Sequence, residues 1–587
     1  MAGYIIIALI YMIYLWLSKC TIIAWILGII SFCGYYIIKN KYFFEANKIT
    51  RFFILIIFLV ILFIISKIGA PPYKNVPAVD VNNPEVTDVI EVEQGKLTGV
   101  KNEEKTVEVY AGIPYAKAPV GDLRWKEPQE PEKWEGVLAA DHFAPMSMQQ
   151  RSSTIYNSLV DLVIYKHLNL GFKDNYLEPM SEDSLYLNIW KPEGDCSNLP
   201  VVFYIHGGSL MTGQPSYYAY NGETFAENGV IFISFGYRLN IFGYYANDEL
   251  QEESENGTTG DYGLLDQIQA LKWVNENIEA FGGDPNNITI AGESAGSSSV
   301  NAICVSPLAK GLFRRAIAES SGITAVEPYH TFRSMEEAKK MGQDILNEFS
   351  AKTVDDLRNI SAEELVNTQF SNNSMTVDGY AITQQPYLTY LEGNNNEEAL
   401  LNGFNAHEAD VFNYFSGKIT PENIVEKLSV LYGDYTQDVV DLYPSTNNKE
   451  AKESYNTILS ATWFAYSHYD WTRYLANQGK PVYKYYFYKE SAGLSNNHAG
   501  ELPYVYGNLD KNPLAFNSSD EKLSEIMVSY WTNFAKTGNP NSNDLPIWEE
   551  YSNAENQVLG LSDNVEMMED PYLKVYEIID KYQNELK

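Results

Sequence analysis

The chain has 587 residues, 45% of them hydrophobic and 14% aromatic, a balance that excludes wholesale disorder and leaves room for far more than one small core. Its formal charge of −34 is unevenly spread: residues 1–70 hold Lys19, Lys39, Lys41, Lys48, Arg51 and Lys67 against Glu45, leaving 36 basic and 75 acidic side chains to the remainder. So acidic a body is repelled by nucleic acid, and no nucleic-acid partner is expected.

Residues 3–18, 21–38 and 52–69 are almost free of charge. A bilayer-spanning helix needs ~20 apolar residues, and flanking Tyr, Trp and Lys extend a shorter stretch. A cleaved signal peptide fits poorly, because three apolar blocks follow one another and no small-residue cleavage site follows the first. Three transmembrane helices are therefore expected within an anchor at 1–69, the first two separated only by Lys19 and Cys20. The loop 39–51 carries Lys39, Lys41, Lys48 and Arg51 against Glu45, so it should stay cytoplasmic and leave the body extracytoplasmic. Pro71, Pro72, Pro77 and Pro84 mark 70–87 as an extended linker.

From residue 88 to 587 short β-rich runs alternate with helical patterns. VVFYIHGG (201–208), VIFISFGYR (230–238) and NITIAGES (287–294) read as strands. Between the last two, Leu264, Ile268, Leu271 and Val274 recur at helical spacing. This alternation predicts one α/β domain with a mostly parallel sheet covered on both faces. Cys196 and Cys304 form no CxxC or Cys/His cluster, so neither a zinc site nor a disulfide scaffold is expected.

Gly292-Glu293-Ser294-Ala295-Gly296 has the form G-x-S-x-G, directly after a strand-like run and before a small-residue run that can open a helix. In that context the serine sits on a strained turn with its hydroxyl exposed, and the helix N-terminus favours developing negative charge. An earlier loop, His206-Gly207-Gly208-Ser209, follows the strand VVFYI. Backbone N–H groups of Gly208, Ser209 and Ala295 are the expected oxyanion donors, with His206 shaping the loop.

These segments, with AGIPYAKAPVGDLRW (111–125), SEDSLYLNIWKP (181–192), GYRLNIFGY (236–244), HAGELPYVYG (498–507) and WTNFAKTGNPN (531–541), resemble the type-B carboxylesterase/lipase family of α/β-hydrolases. That family includes the cholinesterases and bacterial para-nitrobenzyl esterases. The resemblance spans roughly residues 88–560 and implies an α/β-hydrolase fold, a small-molecule carboxylic ester substrate, no cofactor or metal, and a Ser–Glu–His triad. Chain order leaves His468 and His498 as candidate bases. His468 lies in an amphipathic aromatic segment, whereas His498 heads a segment matching the family's catalytic one. The acid falls in GFNAHEAD (403–410), with Glu408 at the family's carboxylate position and Asp410 as competitor. Glu293 matches an acidic family position that tunes the site, and Ser320 resembles a serine packed behind the triad.

Two departures stand out. Ser184 replaces a family cysteine, so the usual N-terminal disulfide cannot form, and Ser209 replaces the third glycine of HGGG without removing its backbone donor. The stretch 143–180 contains no Trp, which argues against choline specificity, and its mixed apolar character makes it a candidate cover over the pocket. The same fold also serves as a non-catalytic adhesion module, the alternative to a serine esterase.

Overall fold

The computed structural model describes residues 2–42, 46–163, 166, 171–173, 175–370, 374–492, 496–512 and 514–586. Glu45 of the basic loop and part of the 143–180 stretch lie outside the described residues. The chain forms two compact units. One comprises residues 1–75, 151–179 and 512–515; the other comprises 76–150, 180–511 and 516–587.

In the first unit, the apolar blocks become α1 (Ala2–Leu17), α2 (Ile22–Tyr42) and α3 (Lys48–Ile68). Helix α2 runs past its apolar block and takes in Lys39 and Lys41, because long cationic stems continue a helix while the ammonium stays at its wet end. Helix α3 begins at Lys48, four residues before its block, since Asn47 caps it by accepting from Thr50 N at 2.9 Å. Ala24, Phe32 and Phe58 face inward together with Leu15, Leu62 and Ile65, and Tyr35 stacks on Phe58 at 4.2 Å. Long aliphatics such as Ile10, Ile30 and Ile64 point outward, the reverse of a water-soluble bundle. Helices α2 and α3, 21 residues each, have the length and composition to cross a membrane, whereas α1 is shorter at 16 residues.

The same unit contains α4 (Thr154–Val163), which packs on α1. Residues following it are tied to the helices and to the chain leaving α3. The Asn175 amide donates to Cys20 O at 2.9 Å, Leu177 N donates to Pro72 O at 2.9 Å, and Phe172 meets Trp25 edge-on at 5.8 Å. Within this unit the described residues of 151–179 thus find partners in α1, α2 and the chain after α3. The linker 70–87 is extended but not free. From Val76 onward it pairs with the second unit, with Ala78 N donating to Asp141 O and Lys101 N to Glu85 O, both at 2.9 Å.

The second unit is built on an eleven-stranded sheet among the described residues. Its strands are β1 (Val100–Lys101), β2 (Val107–Pro114), β3 (Tyr186–Pro192), β4 (Leu199–Ile205), β5 (Ile231–Phe235), β6 (Gly283–Glu293), β7 (Arg315–Glu319), β8 (Ala399–Asn405), β9 (Val482–Phe487), β10 (Gln557–Leu561) and β11 (Val565–Glu569). The order is β11-β10-β9-β8-β7-β6-β4-β5-β3-β2-β1. Neighbours from β10 through β5 run parallel, and both margins turn antiparallel. Side-chain alternation divides β4 between two cores: Val201, Phe203 and Ile205 on one face, Val202 and Tyr204 on the other. Helices α5 (Tyr262–Asn277) and α6 (Ala295–Val305) cover the first face, and α7 (Ser518–Thr537) covers the second. Leu264, Ile268, Leu271 and Val274 are all buried on α5, as their spacing predicts. All four cysteines are free thiols.

Candidate active site

Strand β6 ends at Glu293 and α6 begins at Ala295, so Ser294 must reverse the chain alone. It does so at φ 56° and ψ −126°, a region costly for any residue with a side chain. Its N–H donates to Glu319 O at the end of β7, 2.9 Å away, which pins the turn to the neighbouring strand. Glycines make the tight packing possible. A Cβ on Gly296 would lie 2.0 Å from the Ile205 carbonyl oxygen, and one on Gly207 would lie 3.0 Å from the Ser294 Cβ. The turn and the loop after β4 therefore meet backbone to backbone.

His498 reaches this turn from the loop after β9. Its Nε2 lies 2.8 Å from Ser294 Oγ, and its Nδ1 lies 2.6 Å from Glu408 Oε2. With Nδ1–H donating to the carboxylate, Nε2 is left as acceptor for the serine hydroxyl. Glu408 is fully buried, and its Oε1 accepts from Asn405 N at 2.6 Å. The Asn405 side chain donates to Asn497 O at 2.8 Å and to Glu501, joining the two loops that carry Glu408 and His498. Asp410 instead faces His407 at 3.6 Å.

Three more buried carboxyls surround the relay. Glu293 Oε1 lies 3.3 Å from His498 Nε2, and Glu501 accepts from Ser320 Oγ at 3.3 Å. Glu319 accepts from Trp531 Nε1 at 2.9 Å and Tyr506 OH at 3.1 Å. Burial raises all three. Glu293 is pushed up to about 8 by burial, against the pull of His498. Glu501 is pushed up to about 7 by burial and the Glu408 charge, against the Asn405 hydrogen bond. Glu319 rises far above the carboxylate range through burial and proximity to Glu501. Burial alone would lower the His498 imidazole, but Glu293, Glu408 and Glu501 together raise it to about 9. Of these carboxyls, Glu408 is the direct hydrogen-bond partner of the imidazole at Nδ1.

Among the described residues, the backbone N–H groups of Gly208, Ser209 and Ala295 have no acceptor. The loop bearing the first two is held by Met211 N and Thr212 N, both donating to Gly208 O at 3.0 Å. His206 stacks on Tyr237 at 4.5 Å, and burial drops its imidazole to about 4, consistent with a shaping role. His468 is also buried, its imidazole pushed down to about 3 by burial and the Lys484 charge. Phe412 and Phe464 flank the His498 ring at 5.0 and 4.9 Å. Neither was singled out in the sequence, nor were Asn405 and Glu501. Glu501 follows His498 by three positions within HAGELPYVYG, which is the one local signal that pointed to it. No cluster able to hold a metal ion occurs among the described residues.

A mostly parallel sheet with a serine on the sharp turn after its sixth strand has the architecture of an α/β-hydrolase. Comparison with known proteins gives the same fold: a Geobacillus stearothermophilus carboxylesterase superposes with a TM-score of 0.71 and 32% identity, over 84% of this chain and all of that one. The chain belongs to the carboxylesterase family, whose model matches residues 86–579, and is accordingly a carboxylic ester hydrolase. It is 32% identical to a medium-chain fatty acyl-CoA hydrolase precursor of Anas platyrhynchos, over 80% of this chain and 87% of that protein. It is 33% identical to the para-nitrobenzyl esterase of Bacillus subtilis (strain 168), over 82% of this chain and 96% of the relative.

Proposed function

We propose that the chain hydrolyses carboxylic esters through a covalent acyl-enzyme formed on Ser294. His498 Nε2 takes the hydroxyl proton as Ser294 Oγ attacks the ester carbonyl. Glu408 holds the imidazole tautomer and stabilises the imidazolium. The N–H groups of Gly208, Ser209 and Ala295 receive the oxyanion, and losing one such donor typically costs ~10²–10³ in kcat. His498 then returns the proton to the leaving alcohol, and water repeats the cycle to release the acid. The observation that carries this reading is the continuous relay, 2.8 Å and then 2.6 Å, onto a serine held in a strained turn. A Ser294→Ala protein should lose hydrolysis of p-nitrophenyl acetate and covalent labelling by an organophosphate. Retained hydrolysis would refute the assignment, and an unlabelled wild-type chain would favour the adhesion alternative.

The helices α1–α3 act, in this proposal, as a membrane anchor with the basic loop 39–51 cytoplasmic and the catalytic unit outside. Two apolar helices of 21 residues with outward-facing aliphatics support it. Protease added to intact cells should digest the catalytic unit; protection until lysis would reverse the orientation.

A further inference from the structure

Helix α4 is cleanly amphipathic. At 100° per residue, Ile155, Tyr156, Leu159, Val160, Leu162 and Val163 fall within an arc of about 160°, and Thr154, Asn157, Ser158 and Asp161 occupy the opposite side. Yet no residue of α4 is buried, and the centre of the apolar arc is the part left open: Tyr156, Leu159 and Val163 are 58%, 42% and 60% exposed. An exposed apolar face of this kind needs a partner. Its surroundings name one. The helix packs on α1, and the chain after it is fastened to the α1–α2 turn at Cys20 and to the chain leaving α3 at Pro72. Thr21 N also donates to Gly69 O at 2.8 Å, so both anchor points lie at the end where α1 finishes, α2 starts and α3 finishes. The segment is rimmed by cations: Arg151 lies over the Tyr73 ring at 5.8 Å, Lys74 lies over Tyr176 at 5.4 Å, and Lys166 Nζ caps Val163 O at 2.8 Å. Within residues 151–179 three basic side chains balance three acidic ones, in contrast with the strongly acidic body.

We infer that α4 is an interfacial helix whose Tyr156–Leu159–Val163 face dips into the outer leaflet of the membrane that α1–α3 span. This rests on the anchor reading. The physics is that of amphipathic helices lying in the headgroup–acyl boundary, with apolar side chains in the acyl region and cationic stems reaching back to the headgroups. Helix α4 then gives the anchor a lateral foot on the lipid surface, in addition to its spans.

The test uses the full chain in phosphatidylcholine vesicles, with the accessible Cys33 and Cys196 replaced by alanine. Single cysteines at Leu159→Cys, Asn157→Cys and Ile30→Cys carry a bimane label, and lipids bearing a nitroxide near the headgroup end of the acyl chain serve as quencher. Each variant must retain p-nitrophenyl acetate hydrolysis, which reports folding. Label at position 159 should be quenched at least about two-fold more than label at position 157, as expected for a helix lying in the interface. Equal quenching at the two positions, or none at 159 while position 30 is quenched, overturns the inference and leaves the anchor standing. Absence of quenching at all three refutes the anchor and the interfacial helix together.

Discussion

Removing the charge of Glu293 should move the acid limb of the pH–rate profile to lower pH. His498 works as a base only when its Nε2 is unprotonated, so activity is present above its pKa and lost as pH falls through it. Carboxylates on both sides of the ring favour the imidazolium and hold that pKa at about 9, against an ordinary 6.5. Glu293 Oε1 stands 3.3 Å from Nε2. At that separation two unit charges attract by about 1 kcal/mol under water-like screening and about 5 kcal/mol at an effective dielectric of ~20. With 1.36 kcal/mol per pKa unit, these bounds are about 1 and about 4 units. At the limb itself, near pH 9, Glu293 with a pKa of about 8 carries its charge, so the lower bound is the least shift expected. A Glu293→Gln protein, nearly isosteric, should therefore show the limb of kcat/KM shifted down by at least about 1 unit. Its alkaline plateau should fall as well, since the transition-state imidazolium loses a counter-charge. The assay is kcat/KM for p-nitrophenyl acetate from acid to alkaline pH, with limb and plateau fitted separately. A limb that stays within about 0.3 units of wild type, or moves upward, would refute the argument that Glu293 charges against His498.

Three further outcomes follow from the geometry. Glu408→Gln should lower kcat by roughly 10³–10⁴-fold with little change in KM, because the amide cannot hold the productive tautomer; a loss below ten-fold in steady-state kinetics would return the role to another acid. Gly296→Ala places a Cβ 2.0 Å from the Ile205 carbonyl oxygen, so backbone must move. A loss of about 1–3 kcal/mol in denaturant unfolding, with reduced kcat, is expected, and wild-type values for both would contradict the close approach. Asp266→Ala strips the partner from Arg238, whose side chain is 4% exposed and paired at 2.7 Å. Leaving that guanidinium uncompensated should cost about 3–5 kcal/mol, and a change under about 1 kcal/mol would mean the cation finds another partner.

Local pattern was enough to read several features directly. The period of apolar residues marks Tyr262–Asn277 as a helix, and the strand before Gly292 turns a five-residue pattern into a nucleophile turn. Uncharged length marks the N-terminal helices. These depend on neighbours a few positions apart, where periodicity and turn chemistry act. Partnership does not: His498 stands 204 positions from Ser294 and 90 from Glu408, so only chain order and family likeness connected them beforehand. Between Glu408 and Asp410, two positions apart in one acidic loop, composition offers no choice. The pairing of β8 with β9, continued by the His407–Asn497 bridge, brings the first against His498, whereas the second faces His407, three positions before it. The same long-range pairing assembles Asn405, Glu501 and Glu293 around the imidazole. The stretch 151–179 gives the sharpest contrast. Its mixed apolar character is visible in the sequence, but its partners are not, because an amphipathic face states that something apolar must cover it and leaves the identity of the cover to the tertiary fold.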